Sequence, residues 1–306
     1  GHHLREMLQY SAPLVPAGLA IWFSSYIDRL MINHYLSLNE VGLYGIGYRL
    51  SSVVGLLVSG IQGALMPLVL RNYQAPETPS QLARIFRVFL AFALLVFLGL
   101  SVFAYDILVA MTTQDFYGAS ALVIYLVPAA MLAQMYVFAP GISIAKKTHL
   151  YIWINLFGVT VNGAVGWCLI PSMGVTGAAV ATLVGNACIF APAMWVSQRL
   201  YPVPHDWTRL VAAAAVACAL AALIPYLSPS DWGRRFLAVA GIGVMAGAVI
   251  ALGLVRRDEI ARTRSKCRHR PGVVLGSLTR LQCRPSERTY LLAQIHHRME
   301  VVMDKF

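Results

Sequence analysis

The sequence is poor in charge. Only 12% of its 306 residues are Asp, Glu, Lys or Arg, against roughly 25% in an ordinary water-soluble domain. With 58% apolar residues and a mean hydropathy of +0.65, a water-soluble fold is disfavoured. Its five cysteines do not form a disulfide framework. Cys168, Cys188 and Cys218 lie in apolar stretches and read as small packing residues, while Cys267 and Cys283 lie in a basic tail. There is no phosphate-binding glycine loop, no HExxH and no GxSxG. Cys267, His269, Cys283, His296 and His297 lack a zinc spacing. No cofactor and no metal are therefore expected, and ATP-driven work by this chain alone is disfavoured. No cleavable leader is expected, because the first apolar segment is too long. The chain opens on Gly1 rather than Met, which is expected of a fragment or a processed product.

What the sequence does have is long apolar runs. A membrane-crossing helix needs about 20 apolar residues to cover roughly 30 Å of hydrocarbon. Such runs occupy 11–36, 41–69, 88–105, 119–140, 150–170, 175–196, 210–227 and 236–254. They are continuous rather than alternating, which favours helices over a membrane barrel. The expected fold class is an all-α integral membrane protein with about eight transmembrane helices.

Basic residues in short connections mark the cytoplasmic side. Arg5, then Arg71, Arg84 and Arg87, then Lys146 and Lys147, then Arg199 and Arg209, and then the tail from Arg256 fall on one side. Glu40, Asp106, Asp115 and the uncharged turn at 171–173 fall on the other, with Arg234 and Arg235 as its basic residues. Both termini are expected in the cytoplasm. Of the net charge of +11, residues 256–306 carry +7, with 12 Lys and Arg against 5 Asp and Glu. Next to a membrane, such a tail suits anionic lipid headgroups, at about 1 kcal/mol per basic residue, and nucleic acid is not an expected partner. Leu291, Leu292, Ile295, Met299, Val302 and Phe306 recur at helical spacing, which fits either an amphipathic surface helix or a disordered extension.

Ionisable groups inside a span cost about 2.5 to 3.5 kcal/mol each at a helix centre, so each one is a candidate site. Three stand out: Asp28 and Arg29 in the first span and Arg49 in the second. Counted from the connection at 37–40, both arginines lie roughly 10 to 12 Å deep. Two guanidinium groups with a nearby carboxylate suit a phosphate or pyrophosphate, which Arg binds in bidentate fashion. The plainer alternative is that Asp28 pairs with Arg49 to hold the hairpin while Arg29 reaches to the interface. Gln62, Gln134, Asn155, Asn162 and Asn186 can line a polar cavity or join helices by hydrogen bonds, and His34 is equally ambiguous. Small residues every fourth position, at Gly55, Ser59 and Gly63 and at Gly177, Ala181 and Gly185, allow close helix approach. Pro13, Pro16, Pro67 and Pro128 permit kinks.

The stretch from Pro13 to Leu70, with its aspartate-arginine helix followed by NEVGLY, resembles the start of the C-terminal lobe of bacterial polysaccharide flippases of the O-antigen type. GVTGAAVATLVGNA at 174–187 resembles the helix closing that lobe, and YPVPHDWTRL at 201–210 the cytoplasmic link that follows. This family lies in the multidrug, oligosaccharidyl-lipid and polysaccharide exporter superfamily, in which two six-helix lobes rock about a central cavity.

The resemblance implies a six-helix lobe at 4–200, two further transmembrane helices at 201–255 and a basic cytoplasmic tail at 256–306. It implies translocation of an undecaprenyl-pyrophosphate-linked oligosaccharide across a bacterial cytoplasmic (inner) membrane for surface polysaccharide biosynthesis, with no enzymatic step. Arg29, Arg49 and Asp28 become substrate-binding residues. The expected partners are the lipid-linked glycan, membrane lipids, and either a missing N-terminal lobe or a second copy. Rival expectations are a cation-coupled multidrug exporter of the same superfamily, a membrane-embedded polysaccharide polymerase, and a non-transporting interaction subunit.

Overall fold

The computed structural model describes residues 26–145, 147, 149–227 and 231–251. The start of the first apolar run, Pro13, Pro16, the basic tail and its amphipathic pattern lie outside them. The described residues form helices and no strand, as expected of an all-α membrane protein.

α1 covers 26–35. A short turn leads into α2, Leu38–Asn72, whose N-cap Ser37 accepts from the Glu40 backbone N–H at 3.4 Å. Ser-x-x-Glu is a helix-start signature, and it makes the sharp reversal between the two helices. α3, Thr78–Met111, follows a turn in which the Thr78 hydroxyl donates to the Asn72 carbonyl at 2.7 Å. A 3-10 turn, Gln114–Ala119, enters α4, Ser120–Gln134. The run expected to cross without a break to Pro140 instead leaves α-geometry at Gln134, tightens through Met135–Phe138 and passes into a four-residue helix, α5, Gly141–Ile144. Pro140, which cannot donate to a helical ladder, sits at that junction.

α6, His149–Met173, and α7, Val175–Leu200, form a hairpin reversed at Gly174, whose φ of +62° suits glycine. Gly177 and Gly185 carry the close approach of α7 to α6. A Cβ on Gly185 would lie 2.6 Å from the Cβ of Asn162, and one on Gly177 would strike the Leu169 carbonyl. The second small-residue stripe is therefore a packing seam. The first is not: Ser59 and Gly63 are exposed on α2, and a Cβ at Gly63 meets nothing within 4 Å.

Among the described residues, six helices are long and apolar enough to cross a membrane: α2, α3, α4 with its preceding turn, α6, α7 and α8, Trp207–Leu227, over its first 18 residues. The eighth expected span corresponds to α9, Asp231–Ala251. Phe86, Phe89, Ala93, Phe97 and Leu98 make α3 the most buried of these helices. It contacts α2 and α4 as well as α8 and α9, so the last two helices dock onto the bundle through it. A separate core forms where α1, α2, α4, α6 and α7 meet, from Ile32, Tyr44, Leu122, Leu126, Ile170, Val175, Ala178 and Ala179.

Candidate functional site

Consecutive positions on α1 point in different directions, because each residue advances a helix by about 100°. Asp28 turns into the bundle and is only 5% exposed. There the Tyr44 hydroxyl of α2 donates to its Oδ2 at 3.0 Å, and Thr182 of α7 reaches the same oxygen at 3.0 Å. The two hydroxyls are themselves 2.9 Å apart. Three helices are thus joined by one carboxylate and two hydroxyls.

Arg29 instead lies between aromatic rings, with its guanidinium carbon 5.2 Å from the Tyr26 centroid and 5.7 Å from that of Tyr48. Such cation–π contacts hold a charged group in place without neutralising it. Arg49 follows Tyr48 on α2, is exposed, and has no ion pair among the described residues. The hairpin brings Arg29 against Tyr48, while Asp28 is buried within the bundle. Asp28 is hydrogen-bonded to Tyr44 and Thr182, so a hydroxyl cluster stands where the plainer alternative placed a cross-hairpin pair of Asp28 with Arg49.

Beside Asp28 is a cavity of about 560 Å³. Four of the five amides marked in the sequence, Gln134, Asn155, Asn162 and Asn186, line it together with Tyr48, Ser143, Tyr151 and Thr182. Gln62 does not take part in the lining. One amide N–H of Asn155 goes to the Tyr151 carbonyl at 2.7 Å, and one of Asn186 to the Ala129 carbonyl at 3.1 Å. The Oδ1 of Asn162 is buried with no donor. Asp28 is the single charged residue in the lining. Tyr44 and Thr182 escaped sequence reading because a lone Tyr or Thr in an apolar run carries no signal of its own.

A second cleft, of about 490 Å³, opens where the start of α3 meets the link before α8, and Glu77, Ser80, Arg84, Arg87 and Asp206 border it. Arg87 faces Asp206 across it at 3.7 Å. In the link, His205 packs edge-on against Phe86 and Trp207, with ring centroids 4.8 Å and 5.3 Å away. Burial there lowers its pKa from 6.5 to about 4.

The described helices thus form a membrane-type bundle in which Arg29 lies between Tyr26 and Tyr48, Arg49 is exposed on α2, and a polar cavity lies beside Asp28. Residues 1–121 match the family described as polysaccharide biosynthesis protein. Over 188 residues the chain is 23% identical to the probable low-salt glycan biosynthesis flippase Agl15 of Haloferax volcanii, a match covering 60% of this chain and 40% of that relative's length. Both likenesses support a polysaccharide flippase-type protein and, in general terms, glycan translocation.

Proposed function

We propose that the chain supplies one lobe of a lipid-linked oligosaccharide flippase, which moves an undecaprenyl-pyrophosphate-linked glycan across a bacterial cytoplasmic membrane with both chain termini inside. Residues 4–200 form the lobe, 201–255 the added helix pair and 256–306 a cytoplasmic tail. The observation that carries this reading is Arg29 held against Tyr48, with the exposed Arg49 next to Tyr48 in the chain and without an ion pair among the described residues. A pyrophosphate offers the bidentate acceptors that guanidinium groups take up. The remaining exposed face of α2, through Ser52, Val53, Leu56, Ser59, Gly60 and Gly63, is then turned to the opposite lobe or to a second copy, across which alternating access takes place.

In a full-length transporter carrying this lobe, Arg49→Ala abolishes surface polysaccharide export at unchanged protein level. Export at the parental rate would remove Arg49 from the mechanism. A second reading, a cation-coupled exporter of small molecules, is favoured by the carboxylate-ended interior cavity. It requires drug efflux that depends on Asp28 with no glycan phenotype.

A further inference from the structure

The cleft of about 490 Å³ at the start of α3 is balanced in charge, with the carboxylates of Glu77 and Asp206 and the guanidinium groups of Arg84 and Arg87 in one lining. Ser80, Arg84 and Arg87 recur three or four residues apart, so they lie along one face of α3. Pro204 and Asp206 of the link before α8 form the opposite wall.

Two markers fix the depth of this cleft in a bilayer. The apolar run at 88–105 covers roughly 27 Å, close to the roughly 30 Å of a hydrocarbon core. Arg87 therefore borders the hydrocarbon, and Arg84 lies roughly 5 Å further out along the same helix. Headgroups occupy roughly 5 to 8 Å on each face of a bilayer. On the other wall, Asp206 directly precedes Trp207, which opens α8 and is 43% exposed. Tryptophan concentrates at the level of the headgroups. Both walls thus stand at the depth of lipid phosphates.

Arg87 is incompletely satisfied. Its contact with Asp206, at 3.7 Å, is an ion pair longer than a hydrogen bond, and its Nε is buried with no hydrogen-bond partner. A guanidinium N–H withheld from water is costly without an acceptor. A phosphate oxygen is such an acceptor, and the fork of an arginine matches it. The two carboxylates, however, oppose a ligand that is only negative. A ligand that carries a phosphate and a cationic group together satisfies both halves of the lining.

We propose that this cleft binds the headgroup of a zwitterionic aminophospholipid of the phosphatidylethanolamine type, its phosphate against Arg84 and Arg87 and its ammonium against Asp206 and Glu77. A primary ammonium donates three N–H bonds, which a quaternary choline headgroup cannot do. A glycerol headgroup offers the arginines a phosphate but leaves both carboxylates opposed to its net charge. The depth of the walls assigns the ligand to a lipid rather than to a soluble phosphate ester. The site shares no residue with Arg29, Arg49 or Asp28, and it rests on the membrane setting of the bundle, not on the flippase reading.

The test uses the purified full chain in detergent, stripped of co-purifying lipid and titrated with phosphatidylethanolamine, phosphatidylcholine and phosphatidylglycerol of matched acyl chains. Bound lipid is counted by native mass spectrometry, and the difference between parent and variant separates the cleft from other basic surfaces. In the parent, phosphatidylethanolamine is expected to bind on the order of tenfold more tightly than either of the other two. Arg84→Gln, at an exposed position, is expected to remove that tight binding. Asp206→Asn is expected to reverse the order and bring phosphatidylglycerol above phosphatidylethanolamine. Should Asp206→Asn fail to accumulate, Glu77→Gln, also at an exposed position, tests the same need for a carboxylate.

Phosphatidylglycerol bound by the parent as tightly as phosphatidylethanolamine overturns the zwitterionic assignment. The same lipid preference in the parent, in Arg84→Gln and in the carboxylate variant overturns the site. Soluble phosphoethanolamine that displaces the lipid at equal concentration overturns the assignment to a lipid and gives the cleft to a free phosphate ester. Glycan export enters none of these measurements. An export assay that contradicts the role of Arg49 would therefore leave the lipid site standing, and a failed lipid site would leave Arg49 untouched.

Discussion

The Tyr44 hydroxyl donates to the Asp28 carboxylate at 3.0 Å across the turn between α1 and α2. Tyr44 is 1% exposed and Thr182 7%, so both partners are buried. The cluster ties the site-bearing helix α1 both to its hairpin partner and to α7.

Tyr44→Phe removes that donor and leaves the ring in place. Losing one hydrogen bond to a buried charged group costs about 1 to 3 kcal/mol, although averages inside membrane proteins lie nearer 0.6 kcal/mol. The thermal midpoint of the purified chain should fall for Tyr44→Phe and for Thr182→Val. In the double mutant with Asp28→Asn the two effects should be less than additive, which a double-mutant cycle reads directly. Strict additivity would mean that the cluster is not an energetic unit.

Gly185→Ala and Gly63→Ala form a matched pair. The first places a methyl group 2.6 Å from the Cβ of Asn162, where two helix backbones must separate, and should cost about 1 to 3 kcal/mol. The second meets nothing within 4 Å and improves helix propensity. Stability in detergent should drop for Gly185→Ala and hold or rise for Gly63→Ala.

His205 makes stability depend on pH. Its folded pKa of about 4 lies below the ordinary 6.5 because both ring nitrogens are buried without hydrogen-bond partners against Phe86 and Trp207. Between those values the unfolded chain binds the proton that the folded chain refuses, so stability rises with pH across that window and its loss grows as pH falls from about 6.5 towards 4. Replacing the ring by His205→Phe should flatten the slope of the thermal midpoint against pH in that window. An equal slope in parent and variant would assign the dependence to another group.

Arg49→Lys separates charge from geometry. Lysine keeps the positive charge but loses the planar fork that grips two phosphate oxygens. Export should fall well below the parental rate with Arg49→Lys and fall further with Arg49→Ala. Full activity with lysine would show that charge alone suffices at this position.

Much of this architecture was legible in the sequence, for a simple reason. Hydrocarbon imposes length and apolarity on every crossing helix, so the runs containing α2, α3, α6, α7 and α8 stand out by composition. The glycines of α7 were equally readable, since a small-residue stripe acts over steps of four residues on one helix. The break at Gln134 was not, because an apolar run has the same composition whether its backbone is α or 3-10.

Within the site, the sequence by itself determined which residues are costly in a membrane: Asp28, Arg29, Arg49 and the amides. Only the tertiary structure decided their company. It turned Asp28 inward to Tyr44 and Thr182, 16 and 154 positions away, held Arg29 between Tyr26 and Tyr48, and left Arg49 exposed. It gathered Gln134, Asn155, Asn162 and Asn186 from three helices around one cavity. Desolvation cost belongs to a residue and can be read one position at a time, but the partner that offsets it is set by how helices cross.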